Sequence, residues 1–172
     1  MTGPFFVDAN VILYSCDAGE PLKRPRAVAW LDCLWRDGSG RMSMQVLSEF
    51  YVNATRKLKP GMTQQEAWRR VERFLAWRPL AADESLLRRA REVESRHRLS
   101  WWDAMIVAAA QLQDCTVLLT EDLQDGGAYG TVTVRSPFTL DAQQPEGRYD
   151  VVPRIASPHR PRGRPRRAAV RA

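Results

Sequence analysis

Short apolar runs alternate with amphipathic stripes along this chain, and that alternation limits the possible folds more than any single residue does. Phe5-Phe6-Val7 and Val117-Leu118-Leu119 read as short buried strands, and Val132 to Val134 as a last one. Arg41 to Met44 and Leu80-Ala81-Ala82 are further short candidates. Helical spacing runs from Pro25 to Asp37, where Gly38 stops it, and from Val46 to about Leu58, where Pro60-Gly61 ends it. Thr63 caps a helix to about Trp77, and Glu66 completes a capping box. Asp83 caps the next helix, and Ser100 opens a very apolar one from Trp101 to Leu112. Asn10 is expected to cap a short helix after the first strand. The pattern predicts an α/β fold with a central, mostly parallel sheet flanked by helices. One domain fits in 172 residues, and a 44% hydrophobic content supplies a core.

The net charge of +6 is unevenly spread. Residues 141–172 hold eight Arg and three acids, whereas residues 1–140 are nearly neutral, with 18 basic and 17 acidic side chains. The chain therefore divides into a domain over 1–138 and a basic, Pro/Arg-rich tail over 139–172 that is expected to be disordered. Within the tail, Pro161-Arg162-Gly163-Arg164-Pro165 looks like the core of an AT-hook. Minor-groove contact, nonspecific attraction to nucleic acid and no role at all stay open for it. No apolar stretch approaches the roughly 20 residues of a membrane span, and no signal peptide is expected. Cys16, Cys33 and Cys115 are odd in number and sit in or beside apolar segments, which suits reduced thiols in a cytoplasm. With only His97 and His159, a histidine-based metal site or triad is not expected. Phosphate-binding glycine motifs are missing as well.

Four acids stand in apolar surroundings. Asp8 ends the first strand, where sites gather in α/β proteins, although a turn-forming role also accounts for it. Asp103 opens a helix that is apolar nearly all round; a capping box with Ser100 is the plain alternative. Glu49 lies on a mixed face, where a solvated acid is unremarkable. Asp122 and Asp125 both follow the Val117 strand, in a loop of a kind rich in Asp. Together these acids are expected to converge at one edge of the sheet. Carboxylates that close repel one another unless a cation intervenes. An all-oxygen set selects Mg²⁺ or Mn²⁺, and the chemistry suited to it is phosphodiester hydrolysis.

At these residues the chain resembles PIN-domain proteins, specifically the VapC-type toxin ribonucleases of type II toxin–antitoxin systems. The matching segments are Phe6-Val7-Asp8-Ala9-Asn10-Val11-Ile12-Leu13-Tyr14, Ser48-Glu49-Phe50-Tyr51, Trp102-Asp103-Ala104-Met105-Ile106 and Leu119-Thr120-Glu121-Asp122-Leu123-Gln124-Asp125-Gly126. The resemblance implies Asp8, Asp103 and Glu49 as Mg²⁺ ligands, with Asp122 favoured over Asp125 as the fourth acid. It implies that Asn10 and Thr120 orient ligands or water. It further implies an RNA substrate, a cognate antitoxin and a homodimer. The basic tail departs from the family pattern. Two other functions remain in view: a degenerate PIN domain that binds RNA or a partner without cutting, and a DNA-directed nuclease guided by the tail. Trp101 and Trp102 could stack a base beside Asp103, though core or interface positions are the commoner use of such residues.

Overall fold

The computed structural model describes residues 3–139. Residues 140–172, and with them every expectation about the tail beyond Thr139, lie outside the described residues. The sheet consists of β1 (Phe5–Val7), β2 (Gly40–Arg41), β3 (Val117–Leu119), β4 (Ala128–Tyr129) and β5 (Val132–Arg135), in the order β2-β1-β3-β5-β4. Its pairings are parallel except for the antiparallel β4–β5 hairpin. Six helices lie among the described residues: α1 (Ala9–Cys16), α2 (Lys23–Asp37), α3 (Met44–Arg56), α4 (Gln64–Leu75), α5 (Glu84–His97) and α6 (Trp101–Leu112). The α/β architecture with a mostly parallel sheet is the expected one.

Every residue of β1 and β3 is buried, so both faces of the central strands are covered. In α6 the consecutive residues Ala104 to Ala110 are all buried, leaving this helix enclosed on all sides. That explains its near absence of polar residues. The caps read from sequence hold at Thr63, Asp83 and Ser100. No helix among the described residues is long and apolar enough to cross a membrane.

Three expectations need correction. Asp8, not Asn10, caps α1: its Oδ1 accepts the Ala9 N–H at 2.7 Å, and Asn10 already lies inside the first turn. Leu80 to Ala82 form no strand; Leu80 only bridges the chain beside Ser43, so Val117–Leu119 is the third strand of the sheet rather than the fourth. The β4 segment escaped notice because its two residues carry no apolar alternation, and it folds back on β5 through a two-residue turn in which Gly130 has φ 63°.

Gly40 on the edge strand β2 is packed against the Trp77 indole. A methyl group placed there would sit 2.3 Å from the ring, and Trp77 is itself wedged against Trp35 and Phe74 at centroid distances of 5.1 and 5.3 Å. By contrast Gly38, which ends α2 in the left-handed region, has open space around it. Gly40→Ala is therefore expected to destabilise the fold by about 1–3 kcal/mol through overpacking. An unchanged urea midpoint for Gly40→Ala would contradict this account.

Candidate metal centre

The C-terminal edge of β1 and β3 opens into a cleft of about 800 Å³, and Asp8, Glu49, Asp103 and Asp122 all line it. Each arrives by a different route. Asp8 follows β1 directly, and its N–H continues the sheet ladder to the Leu119 carbonyl. Glu49 projects from the middle of α3, whose register is set by the buried stripe Val46, Leu47, Phe50 and Ala54. Asp103 lies in the first turn of α6, and Asp122 follows the end of β3.

The Thr120 hydroxyl joins this set. It is fully buried, donates to Asp8 Oδ2 at 2.8 Å, and accepts from Asn10 Nδ2 at 2.9 Å and from the Asp122 N–H at 3.1 Å. One donor and two acceptor positions use the full capacity of a hydroxyl group. Gln45 Nε2 donates to Glu49 at 2.8 Å, and Ser100 Oγ donates to Asp103. The Asp103 N–H in turn donates to Ser100 Oγ at 3.2 Å, so Ser100 caps α6, and Asp103 also faces the cleft.

Asp125 is placed elsewhere. Its Oδ1 accepts from Arg135 Nε at 3.2 Å and from the Ser136 N–H at 3.0 Å, which ties the loop to the end of β5. Of the two aspartates after β3, Asp122 lines the cleft and Asp125 does not.

The expectation that the acids meet within a few ångströms is not met. Among the described residues, no three His, Cys, Asp or Glu side chains are gathered closely enough to hold a metal ion. The physical reason lies in their local partners. Glu49 and Asp103 turn to the donors just described, and like charges favour separation.

The donor chemistry nevertheless fits a hard divalent cation. All four acids offer oxygen. Burial, then the charge of Asp122, pushes the Asp8 carboxyl up to about 7, with Glu49 adding to the rise against the opposing bonds from Thr120 and Ala9. A cation would relieve that potential. Asn10 Oδ1 is buried without a hydrogen-bond partner on the same cleft, another oxygen suited to a hydrated ion.

Sequence reasoning missed a second cluster at this edge. Lys23, at the start of α2, has a side chain only 5% exposed, and its Nζ lies 2.7 Å from Glu121 Oε2. The same ammonium donates to the Tyr14 hydroxyl at 3.2 Å and sits 4.4 Å from the Tyr14 ring centre. Tyr14 in turn donates to Glu121 Oε1, and burial together with that contact pushes its phenol well above the ordinary range. Nothing in the polar stretch around Lys23 marks it as buried; only the return of the chain at Glu121 does so.

Of the six tryptophans, Trp30 is buried and Trp35 and Trp77 pack on the core, as commonly expected. Trp102 is 52% exposed and lines the cleft beside Asp103. Cys115 is buried and its thiol is pushed up to about 12 by that burial, while Cys16 and Cys33 are half-buried; none of the three is in a disulfide among the described residues.

A family model described as the PIN domain matches residues 5–124. The chain belongs to the PIN-domain family. Among solved structures, this PIN domain is similar to Mycobacterium tuberculosis VapC20, described as a Sarcin-Ricin loop cleaving toxin. The identity is 20% and the TM-score 0.51, over 66% of this chain and 86% of that one. A toxin–antitoxin complex from Klebsiella pneumoniae matches at 18% identity and TM-score 0.49, over 78% of this chain and 98% of that one. No curated sequence gives a significant match.

The pKa of Asp8 carries a stability consequence for the metal-free PIN domain. A carboxyl raised from 3.8 to about 7 contributes stability that is fully present below the unfolded value and is lost as pH rises through the folded one. The wild type is expected to lose stability between about pH 4 and pH 7 from this group. Asp8→Asn should flatten that fall and raise the melting temperature at neutral pH, as read by thermal melts in EDTA. A variant that melts lower than the wild type at pH 7.5 would contradict the assignment.

Proposed function

We propose that this PIN domain is a metal-dependent endoribonuclease of the VapC type, the toxin of a toxin–antitoxin pair. The observation that carries the reading is the single cleft lined by Asp8, Glu49, Asp103 and Asp122, at the sheet edge of a PIN-domain chain. The fold shared with VapC20, a toxin described as cleaving the Sarcin-Ricin loop, supports RNA as the substrate class. Asp8, Glu49, Asp103 and Asp122 would hold Mg²⁺ or Mn²⁺. When bound, such an ion supplies an activated water and charge against the leaving oxygen.

The remaining work falls to the chain itself. Thr120 and the Ala9 N–H hold the Asp8 carboxylate in one orientation. Asn10 is locked by its bond to Thr120 and presents its amide to the cleft. Gln45 steadies Glu49, and its amide lies 3.4 Å from the Trp102 carbonyl, which links α3 to the start of α6 across the cleft. The exposed face of Trp102 offers a surface on which a base beside the cut phosphate can stack. In the cell a cognate antitoxin would silence the toxin, and a homodimer is the proposed form.

A second reading, binding without cleavage, is favoured by the separation of the four acids. The two readings differ in a purified cleavage assay on structured RNA. EDTA and Asp8→Asn are expected to abolish cutting, and Thr120→Val to lower it about 10- to 100-fold by loosening its partners. Expression of Asp103→Asn should leave growth unaffected where the wild type arrests it. Undiminished cutting by an Asp8→Asn, Asp103→Asn double variant would sink the nuclease reading. Matched RNA and DNA substrates, with and without residues 141–172, separate an RNA-directed enzyme from a DNA-directed one.

A further inference from the structure

Two carboxylates line the acid cleft beyond the four proposed ligands. Asp17 is turned into its own loop, where Oδ1 accepts the Gly19 N–H at 2.9 Å. Glu121 is the more consequential one, because it is the immediate neighbour of Asp122 at the end of β3. Left to itself it would add a further negative charge beside Asp122. Instead both of its oxygens are taken by Lys23 Nζ, at 2.7 and 3.0 Å, and Oε1 also accepts from Tyr14. Lys23 is almost completely enclosed, and its ammonium lies over the Tyr14 ring at 4.4 Å and the Phe138 ring at 5.2 Å. A lysine so enclosed is held in one place, unlike a surface ion pair.

The geometry points to Lys23 as a positioning residue for the metal site: it ties Glu121 down and offsets its charge, so that the loop after β3 offers Asp122 alone to the ion. The inference rests on the metal-site reading above and concerns only how the chain tunes it. A purely structural ion pair would also destabilise the fold when broken, so stability cannot distinguish the two roles. Metal affinity can, because the two partners carry opposite charge. Removing Lys23 releases a carboxylate toward the cation, whereas neutralising Glu121 leaves a buried positive charge that repels it.

The test is Mn²⁺ titration of the full-length protein by calorimetry, with Asp8→Asn as the control for site-specific binding. Glu121→Gln should weaken Mn²⁺ binding by roughly tenfold, and Lys23→Met should tighten it by a similar factor. Lys23→Arg should stay near the wild type. The double variant Lys23→Met, Glu121→Gln restores the charge balance and should return to within about threefold of the wild type. If Lys23→Met alone does not fold, the comparison of Glu121→Gln with the double variant decides, since the double must bind more tightly. Single variants that weaken binding alike, or a double variant no better than Glu121→Gln, would overturn the role of Lys23 while leaving the Asp8-dependent site intact. Identical titrations of the wild type and Asp8→Asn would remove the metal-site reading and this inference together.

Discussion

The hydrogen bond from Thr120 to Asp8 is the contact on which the rest of this edge depends. It spans β1 and β3 just where their ladder ends, so sheet pairing delivers both residues to one point. The same hydroxyl orients Asn10 and caps the turn that carries Asp122. A valine there would keep the shape and lose every one of these bonds, leaving buried polar groups unpaired. The sheet thus fixes the strand-borne acid, and one side chain passes that order on to its neighbours.

Around this fixed point the other acids are placed by helices. Glu49 depends on the buried stripe of α3, and Asp103 on the burial of α6. Each is met by a polar partner nearby, Gln45 for Glu49 and Ser100 for Asp103. The result is a cleft framed by buried strands and helices, whose negative charges stand apart. Charge separation of this kind lowers the repulsion among unscreened carboxylates. Placing Lys23 beside Glu121 serves the same end by a different route, because a buried cation offsets one acid outright.

Much of this was legible in the chain itself. Strands buried on both faces leave continuous apolar runs, and capping residues announce helix starts, so β1, β3, α4, α5 and α6 could be read directly. Asp8 and Asp103 stood out because a carboxylate in an apolar frame demands a reason. The cap at Asp8 was misassigned to Asn10 because both residue types favour that position, and only the backbone angles separate them. That Asp125 is turned to Arg135 could not be read, because that partner is supplied by another strand. Lys23 could not be read at all, since its carboxylate partner stands 98 positions away along the chain.

The acids of the cleft are drawn from positions 8, 49, 103 and 122, and the strand that carries the last of them lies between β1 and β5 in the sheet. β1 is made first during synthesis, yet its inner neighbour β3 is more than a hundred residues away along the chain. A growing polypeptide therefore carries Asp8 for most of its length without Thr120 to hold it. Closing so long a loop is slow and comes late in folding. The cleft comes into being only when the segment from Val117 to Asp122 has left the ribosome and paired with β1.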